Sequence, residues 1–296
     1  MIAAIRRRHD ALAPMTRGIL AMVLAMLILT CMDVAAKGLL ERYPTAQVVW
    51  ARYASQTALM VVLFLPSLTR RLRTDHLRLQ LARSALLFTA TVCFFSGLSF
   101  LALAETVAVF EVAPLLITAL GALILRERVG PRRWAGVAIG LVGALIIIRP
   151  GFEVFHPAAL FPLAAAACIA LYQIATRYLS AAESIWTTML YTSGIGMALA
   201  SLAVPFVWQM PSLGDALVMA SFGWLGFLGH LCLVYALGQA PASALAPFNY
   251  AGFVWATILG FLWFAEIPDW PTFLGAGIIV GAGLYVWHRE RVRAEA

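Results

Sequence analysis

The stretch Ala104–Leu116, AETVAVFEVAPLL, sets two carboxylates, Glu105 and Glu111, in an otherwise apolar run and follows them with Pro114. If the run is helical, Glu111 lies about 9 Å beyond Glu105 and about 120° round the axis, so the two face different surroundings. Glu105 opens the run, where a carboxylate suits the positive end of a helix. Glu111 sits in its middle, where a carboxylate must pair with a cation, take up a proton or border water. A functional role and a structural ion pair are both open to it. Pro114 lacks an N–H and crowds the carbonyl of Phe110, so a kink is expected just beyond Glu111. Pro247 is placed to do the same beside Asn249 and Tyr250.

Further groups could share in such a site. His230 is the one histidine deep within an apolar run, and an imidazole titrates near neutral pH. A lone helical histidine nevertheless usually packs through a hydrogen bond. Tyr172, Gln173, Asn249 and Tyr250 offer uncharged hydrogen-bonding groups, and Phe94 and Trp255 offer flat faces for a planar solute. Asp33, Lys37 and Arg52 form a separate charged group on the first two apolar runs. An Asp33–Arg52 ion pair joining the runs is the plain expectation, and Lys37 could instead meet an anionic solute. Cys31, Cys93, Cys168 and Cys232 fall on four different runs and imply neither a disulfide framework nor a metal site.

Long apolar elements must carry these residues. The chain of 296 residues is 62% hydrophobic and 12% charged, with mean hydropathy +0.89. That leaves too little polar surface for a water-soluble globule. A helix needs about 20 apolar residues to cross the hydrocarbon core, and ten such runs can be drawn: 17–37, 45–66, 83–103, 104–125, 131–149, 158–178, 184–207, 213–237, 240–265 and 268–288. No strand alternation speaks for a barrel, so the runs read as helices. Arg6–Arg8 before the first run resemble the start of a signal peptide. The run continues into Asp33 and Lys37 without a cleavage pattern, so it reads as the first span.

Basic residues collect in alternate loops. Arg6, Arg7, Arg8 and Arg17 precede the first run; Arg70, Arg71, Arg73, Arg78 and Arg83 follow the second; Arg126, Arg128, Arg132 and Arg133 follow the fourth; and Arg289, Arg291 and Arg293 close the chain. Such loops stay cytoplasmic, so both termini are expected on that side of a bacterial-type inner membrane. The net charge of +7 is distributed as collars at helix ends, which is membrane anchoring and not a nucleic-acid footprint.

A shift of 139 residues lays the second half on the first, placing Leu237 on Leu98, Glu266 on Glu127, Gly275 on Gly136 and Tyr250 on Glu111. Five spans per half is an odd number, so the halves should enter the membrane in opposite orientations. RERVGPRRW in the first half becomes AEIPDWPTF in the second, and the loss of arginines agrees with that inversion. Inverted repeats around a midplane site mark secondary transporters. Gly136, Gly140 and Gly143, with Gly275, Gly277 and Gly281, should let the fifth and tenth spans pack closely outside the cavity.

DVAAK at 33–37, PTAQVVWAR ending at Arg52 and ILRERVGPRRWAGVAIGLVGALIII together resemble one EamA-type unit of the drug/metabolite transporter superfamily. The run APFNYAGFVWATILGFLWFAEIPDWPTFLGAGIIVGAG is similar to a second, more degenerate unit, and the resemblance spans about residues 17–288. It implies an all-α membrane protein of ten helices in two inverted repeats around a central cavity. A basic arm (1–16), repeats at 17–149 and 158–288, an outer linker (150–157) and a cytoplasmic tail (289–296) would complete it. It further implies no cofactor, no metal and no ATP hydrolysis. The implied activity is alternating-access transport of a small amphipathic metabolite, foremost the export of hydrophobic or aromatic amino acids. Uptake of a nucleoside-like or flavin metabolite is the alternative. Proton coupling would use Glu111 or His230, whereas downhill facilitation needs neither. The partners are then the solute and the bilayer, with a monomer or weak dimer as the assembly. A membrane-embedded enzyme would need converging nucleophile, base or metal ligands, and no H-E-x-x-H or Ser/His pattern is present.

Overall fold

The computed structural model describes residues 13–124, 130–150, 156–179, 183–240 and 245–294, and among these residues it is helical with no strand. Arg6–Arg8, Arg126–Arg128 with Glu127, and most of the 150–157 linker lie outside the described residues. The helices are α1 (Pro14–Leu40), α2 (Thr45–Phe64), α3 (Leu77–Leu98), α4a (Leu103–Phe110) and α4b (Ala113–Ile124). They continue with α5 (Pro131–Ile148), α6 (Leu160–Leu179), α7 (Ile185–Ala203), α8 (Leu213–Gln239), α9 (Ala251–Phe264) and α10 (Trp270–Ala294). Among the described residues, eight spans are long and apolar enough to cross a membrane, and Trp134–Ile148 is a shorter apolar helix. This is a multi-pass membrane protein. Proline at the first turn starts α1 and α5, where its missing N–H leaves no bond unmade.

The packing repeats between halves. α1 lies on α8 as α6 lies on α3, α2 on α8 as α7 on α3, and α1 on α9 as α6 on α4a and α4b. The remaining large contacts, α5 on α10, α2 on α7 and α4a on α9, join equivalent helices of the two halves. Each of these pairs runs antiparallel. Gly136 meets Val286 while Gly143 meets Gly275; Trp50 Nε1 donates to Ser201 Oγ at 2.9 Å while Tyr53 covers Gly196; Leu103 meets Gly260 while Glu111 meets Gly252. A two-fold relation that reverses helix direction accounts for all three.

Glycine creates the tightest seam. A Cβ at Gly143 would lie 2.8 Å from the Gly275 carbonyl oxygen, and one at Gly275 would lie 2.5 Å from the Gly143 oxygen. Gly277 and Gly281 face open space, and Gly283 instead makes room for the Tyr250 ring and hydroxyl. The seam thus uses fewer glycines than their number in α10 implies, because only one face of that helix meets α5. The main core joins both halves through Tyr53, Phe95, Leu98, Leu103 and Phe222, all at most 2% exposed.

Candidate functional site

The fourth span is not one helix. α4a ends at Phe110, Glu111 and Val112 form a turn, and α4b begins at Ala113 with Pro114 in its first turn. The chain compensates with short-range bonds: Val112 N–H donates to Val109 O at 3.2 Å, and Leu115 and Leu116 N–H both donate to Val112 O, at 3.0 and 3.1 Å. The break turns the half-buried Glu111 side chain toward α9 and α1. Its Oε1 lies 3.5 Å, and Met26 Sδ 3.9 Å, from where a Gly252 Cβ would stand. Among the described residues Glu111 makes no hydrogen bond and no ion pair. Phe110 beside it meets Phe94 edge to face, ring centres 5.2 Å apart, and Trp255 Nε1 donates to Val23 O of α1 at 3.3 Å.

Pro247 lies in a 3-10 turn, Ala246–Tyr250, that leads into α9. Asn249 is half-buried there, and Tyr250 is 9% exposed with its hydroxyl directed at Gly283 of α10. His230 is half-buried on α8, with Nδ1 2.7 Å from Gly226 O. Since a carbonyl only accepts, Nδ1 carries the proton and Nε2 is left as an acceptor in the neutral ring. That bond is the packing role expected of a lone helical histidine.

The second charged group separates. Asp33 and Arg52 form no ion pair; the Arg52 guanidinium lies over the Phe95 ring at 5.5 Å. Lys37 is 8% exposed. Its Nζ pairs with Glu266 Oε1 at 2.9 Å and donates to Leu101 O at 2.5 Å and Leu98 O at 3.5 Å. Glu266 is aimed by the end of α9: Ala265 is left-handed (φ 52°), with Ala265 N–H bonded to Phe261 O and Glu266 N–H to Gly260 O. Its second oxygen accepts from the Leu103 N–H at 2.8 Å and so caps α4a. Glu266 therefore satisfies a backbone N–H, as expected for a helix-end carboxylate, but in the opposite half of the molecule. Other bonds between halves surround it. Asp215 pairs with Arg42 at 2.8 Å and accepts from Tyr43 Oη and Ser212 Oγ, each at 2.8 Å. The Gln47 amide exchanges bonds with Gln209 N–H and C=O at 2.9 and 2.7 Å, and Arg149 pairs with Asp269. Burial pushes the Asp269 carboxyl up, but the Thr272 hydroxyl and N–H and the Arg149 guanidinium outweigh it and hold it below the usual carboxylate range.

At the opposite end the leading residue is Arg83, which the charge distribution placed in a loop collar. α3 starts earlier than the apolar run does, at Leu77, so Arg83 lies inside the helix and is 2% exposed. Nε donates to Thr176 Oγ1 at 2.6 Å, Nη2 to Tyr172 Oη at 2.6 Å, and Nη1 to Thr192 Oγ1 at 3.1 Å and Thr188 O at 3.4 Å. All of these acceptors are neutral and come from the second half. Tyr172 is thus occupied by Arg83, which also stacks on its ring at 4.5 Å, while the neighbouring Gln173 is exposed on α6. The sequence held one signal for this node: Gln80, Arg83 and Ser84 share a helix face that is otherwise apolar. Thr74 adds a bond to Glu183, and Tyr191 Oη donates to Leu72 O at 2.8 Å.

Among the described residues no group of three His, Cys, Asp or Glu side chains could hold a metal. The four cysteines are free. The arrangement is a pair of antiparallel helical halves, bonded across both ends, with a carboxylate between them. That is the build of a membrane transporter. The chain belongs to the EamA-like transporter family, which matches residues 16–149 and 156–287, one unit per half. It is 28% identical over 284 residues to an S-adenosylmethionine uptake transporter of Rickettsia bellii, covering 96% of this chain and 97% of the relative. It is also 30% identical over 257 residues to a riboflavin transporter of Vibrio cholerae, covering 81% and 84%. A solved crystal structure, 20% identical, superposes with TM-score 0.63 over 96% of this chain and 99% of its own, and so shares the fold. The family is one of small-molecule transporters, not enzymes.

Proposed function

We propose that the chain is a secondary carrier that moves a small amphipathic metabolite by alternating access. The site lies between two inverted five-helix units, about 17–149 and 158–288, with ten crossings and both termini on the cytoplasmic side of an inner membrane. The single observation that carries this reading is Glu111: a carboxylate on a broken helix, beside Gly252 of the opposite half, with no hydrogen-bond or ion-pair partner among the described residues. An ion pair of purely structural use would have supplied one. The antiparallel pairing of equivalent helices supports inversion, and the alternation of arginine-rich loops supports the orientation. Amino acids, nucleoside-like metabolites and flavins all suit a mainly apolar cavity with few charges. Export of amino acids is one member of this set. In a carrier with no coupled ion, the direction of net movement follows the solute gradient.

The purified protein in liposomes preloaded with unlabelled solute should show saturable counterflow of a labelled one from a panel of S-adenosylmethionine, riboflavin and leucine. Glu111→Gln should keep the fold and lower the rate. Chemical conversion of the solute, or flux that rises linearly with concentration, would overturn the reading.

A further inference from the structure

Lys37 is held more completely than an ion pair requires. Its Nζ meets Glu266 Oε1 at 2.9 Å, Leu101 O at 2.5 Å and Leu98 O at 3.5 Å, so three acceptors face the three N–H groups of an ammonium. The Phe264 ring closes a further side, its centre 5.5 Å from Nζ, as aromatic faces do around desolvated cations.

The walls of this cage are fixed without Lys37. Glu266 is anchored by the left-handed turn at Ala265 and by the Leu103 N–H, which donates to its other oxygen at 2.8 Å. Leu98 is the last residue of α3, where carbonyls lack a helical N–H partner and the helix end attracts a cation. The loop that carries Leu98 into Leu101 is tied back by Ser99 N–H to Phe95 O at 3.1 Å, and by Phe100 and Leu101 N–H to Gly97 O at 3.1 and 2.9 Å. Leu98 and Leu101 belong to one half, Phe264 and Glu266 to the other. The cation between them joins the halves.

A cavity of about 210 Å³ lies against the cage, lined by Lys37, Leu98, Leu101 and Glu266 and bordered by the exposed Glu41 and Phe100. One water takes about 30 Å³, so a small cation and its water have room there. The charged residues of the lining, Glu41, Glu266 and Lys37, are net negative.

We propose that this cage is a binding site for a primary ammonium ion, which the chain fills with its own Lys37, so that the two halves close at this end without a cation from solution. Removing the lysine side chain leaves the carboxylate, the two carbonyls and the ring in place and opens them to the cavity. A free primary ammonium then takes the position of Nζ. Methylammonium is the tip of the lysine side chain cut free, whereas tetramethylammonium has the same charge and no N–H.

Lys37→Ala tests this by thermal unfolding of the full chain in detergent, in chloride salts of methylammonium, tetramethylammonium and sodium at equal ionic strength, so that general screening is the same in all three. Methylammonium should raise the unfolding temperature of the variant saturably, by about 2 to 4 °C at a tenfold excess over its dissociation constant. The other two cations should give less than half of that rise. Adding Glu266→Gln to Lys37→Ala should remove the response. Wild type, with its cage filled, should unfold alike in all three salts. A variant indifferent to methylammonium, or stabilised equally by tetramethylammonium, would overturn the proposal, as would a wild-type response equal to that of the variant. So would a variant that cannot be recovered folded even when prepared in methylammonium, because the cage would then accept no free cation. The readout is stability, so none of these outcomes bears on the carrier reading, which counterflow decides.

Discussion

The Lys37 end and the Arg83 end join the same two halves with different chemistry. Around Lys37, opposite charges meet: Lys37 with Glu266, Arg42 with Asp215, Arg149 with Asp269. Around Arg83, one cation meets Tyr172, Thr176, Thr188 and Thr192 and, among the described residues, no carboxylate. Separating the ion pairs gives up Coulomb attraction and returns both charges to water, two terms of similar size. Opening the Arg83 end gives up charge-assisted hydrogen bonds to neutral acceptors and rehydrates a cation that has no counter-charge among the described residues. The difference teaches that a junction between two halves can be made separable in two ways, by balancing charge against hydration or by leaving the charge unbalanced.

Mutations at the two ends sharpen the contrast. The largest effect is expected from Arg83→Ala, which removes the bond to the Tyr172 hydroxyl and one of the bonds made by Thr176, Thr192 and the Thr188 carbonyl; a loss of about 3 kcal/mol in stability should appear as a clear drop in the unfolding temperature in detergent. Arg83→Lys, with fewer donors in a different geometry, should fall between. Next comes the Lys37→Met and Glu266→Gln cycle. Each single change leaves a partly buried charge without its partner, and the double change should cost less than their sum by about 1 to 2 kcal/mol. An additive cycle would mean that the pair contributes nothing to closure. Gly143→Ala tests the seam shared by both ends: its Cβ would press on the Gly275 carbonyl, at an expected cost of about 1 to 3 kcal/mol, read in the same unfolding assay. The smallest effect concerns Asp269. A carboxyl held below its unfolded value contributes stability above that value, about 4, and loses it as pH falls further. Wild type should therefore lose more unfolding temperature between pH 5 and pH 3 than Asp269→Asn does.

Most helices and the paired packing of the two halves were legible because lipid solubility, length and charge alternation are properties of runs of residues, but α3 starts six residues before its expected run and α9 starts eleven residues into its own. Glu111 and Pro114 stood out for the same reason, as breaks in an apolar run. Partners were not legible. Lys37 and Glu266 are separated by most of the chain, and nothing near either one names the other. Arg83 was hidden by its position at the edge of an apolar run, where a basic residue ordinarily faces water. Asp33 and Arg52 looked like a pair because they lie on neighbouring spans, yet side-chain direction set the guanidinium over Phe95. Gln173 adjoins Tyr172 in sequence, but one step along a helix turns it about 100° and leaves it exposed.

Access to Glu111 from both sides tests the central claim most directly. In a cysteine-free background, Glu111→Cys in oriented vesicles would be treated with a membrane-impermeant maleimide from each face in turn. Alternating access predicts labelling from either face, slowed by saturating solute. Labelling from one face alone, or from neither while the variant remains folded, would contradict it.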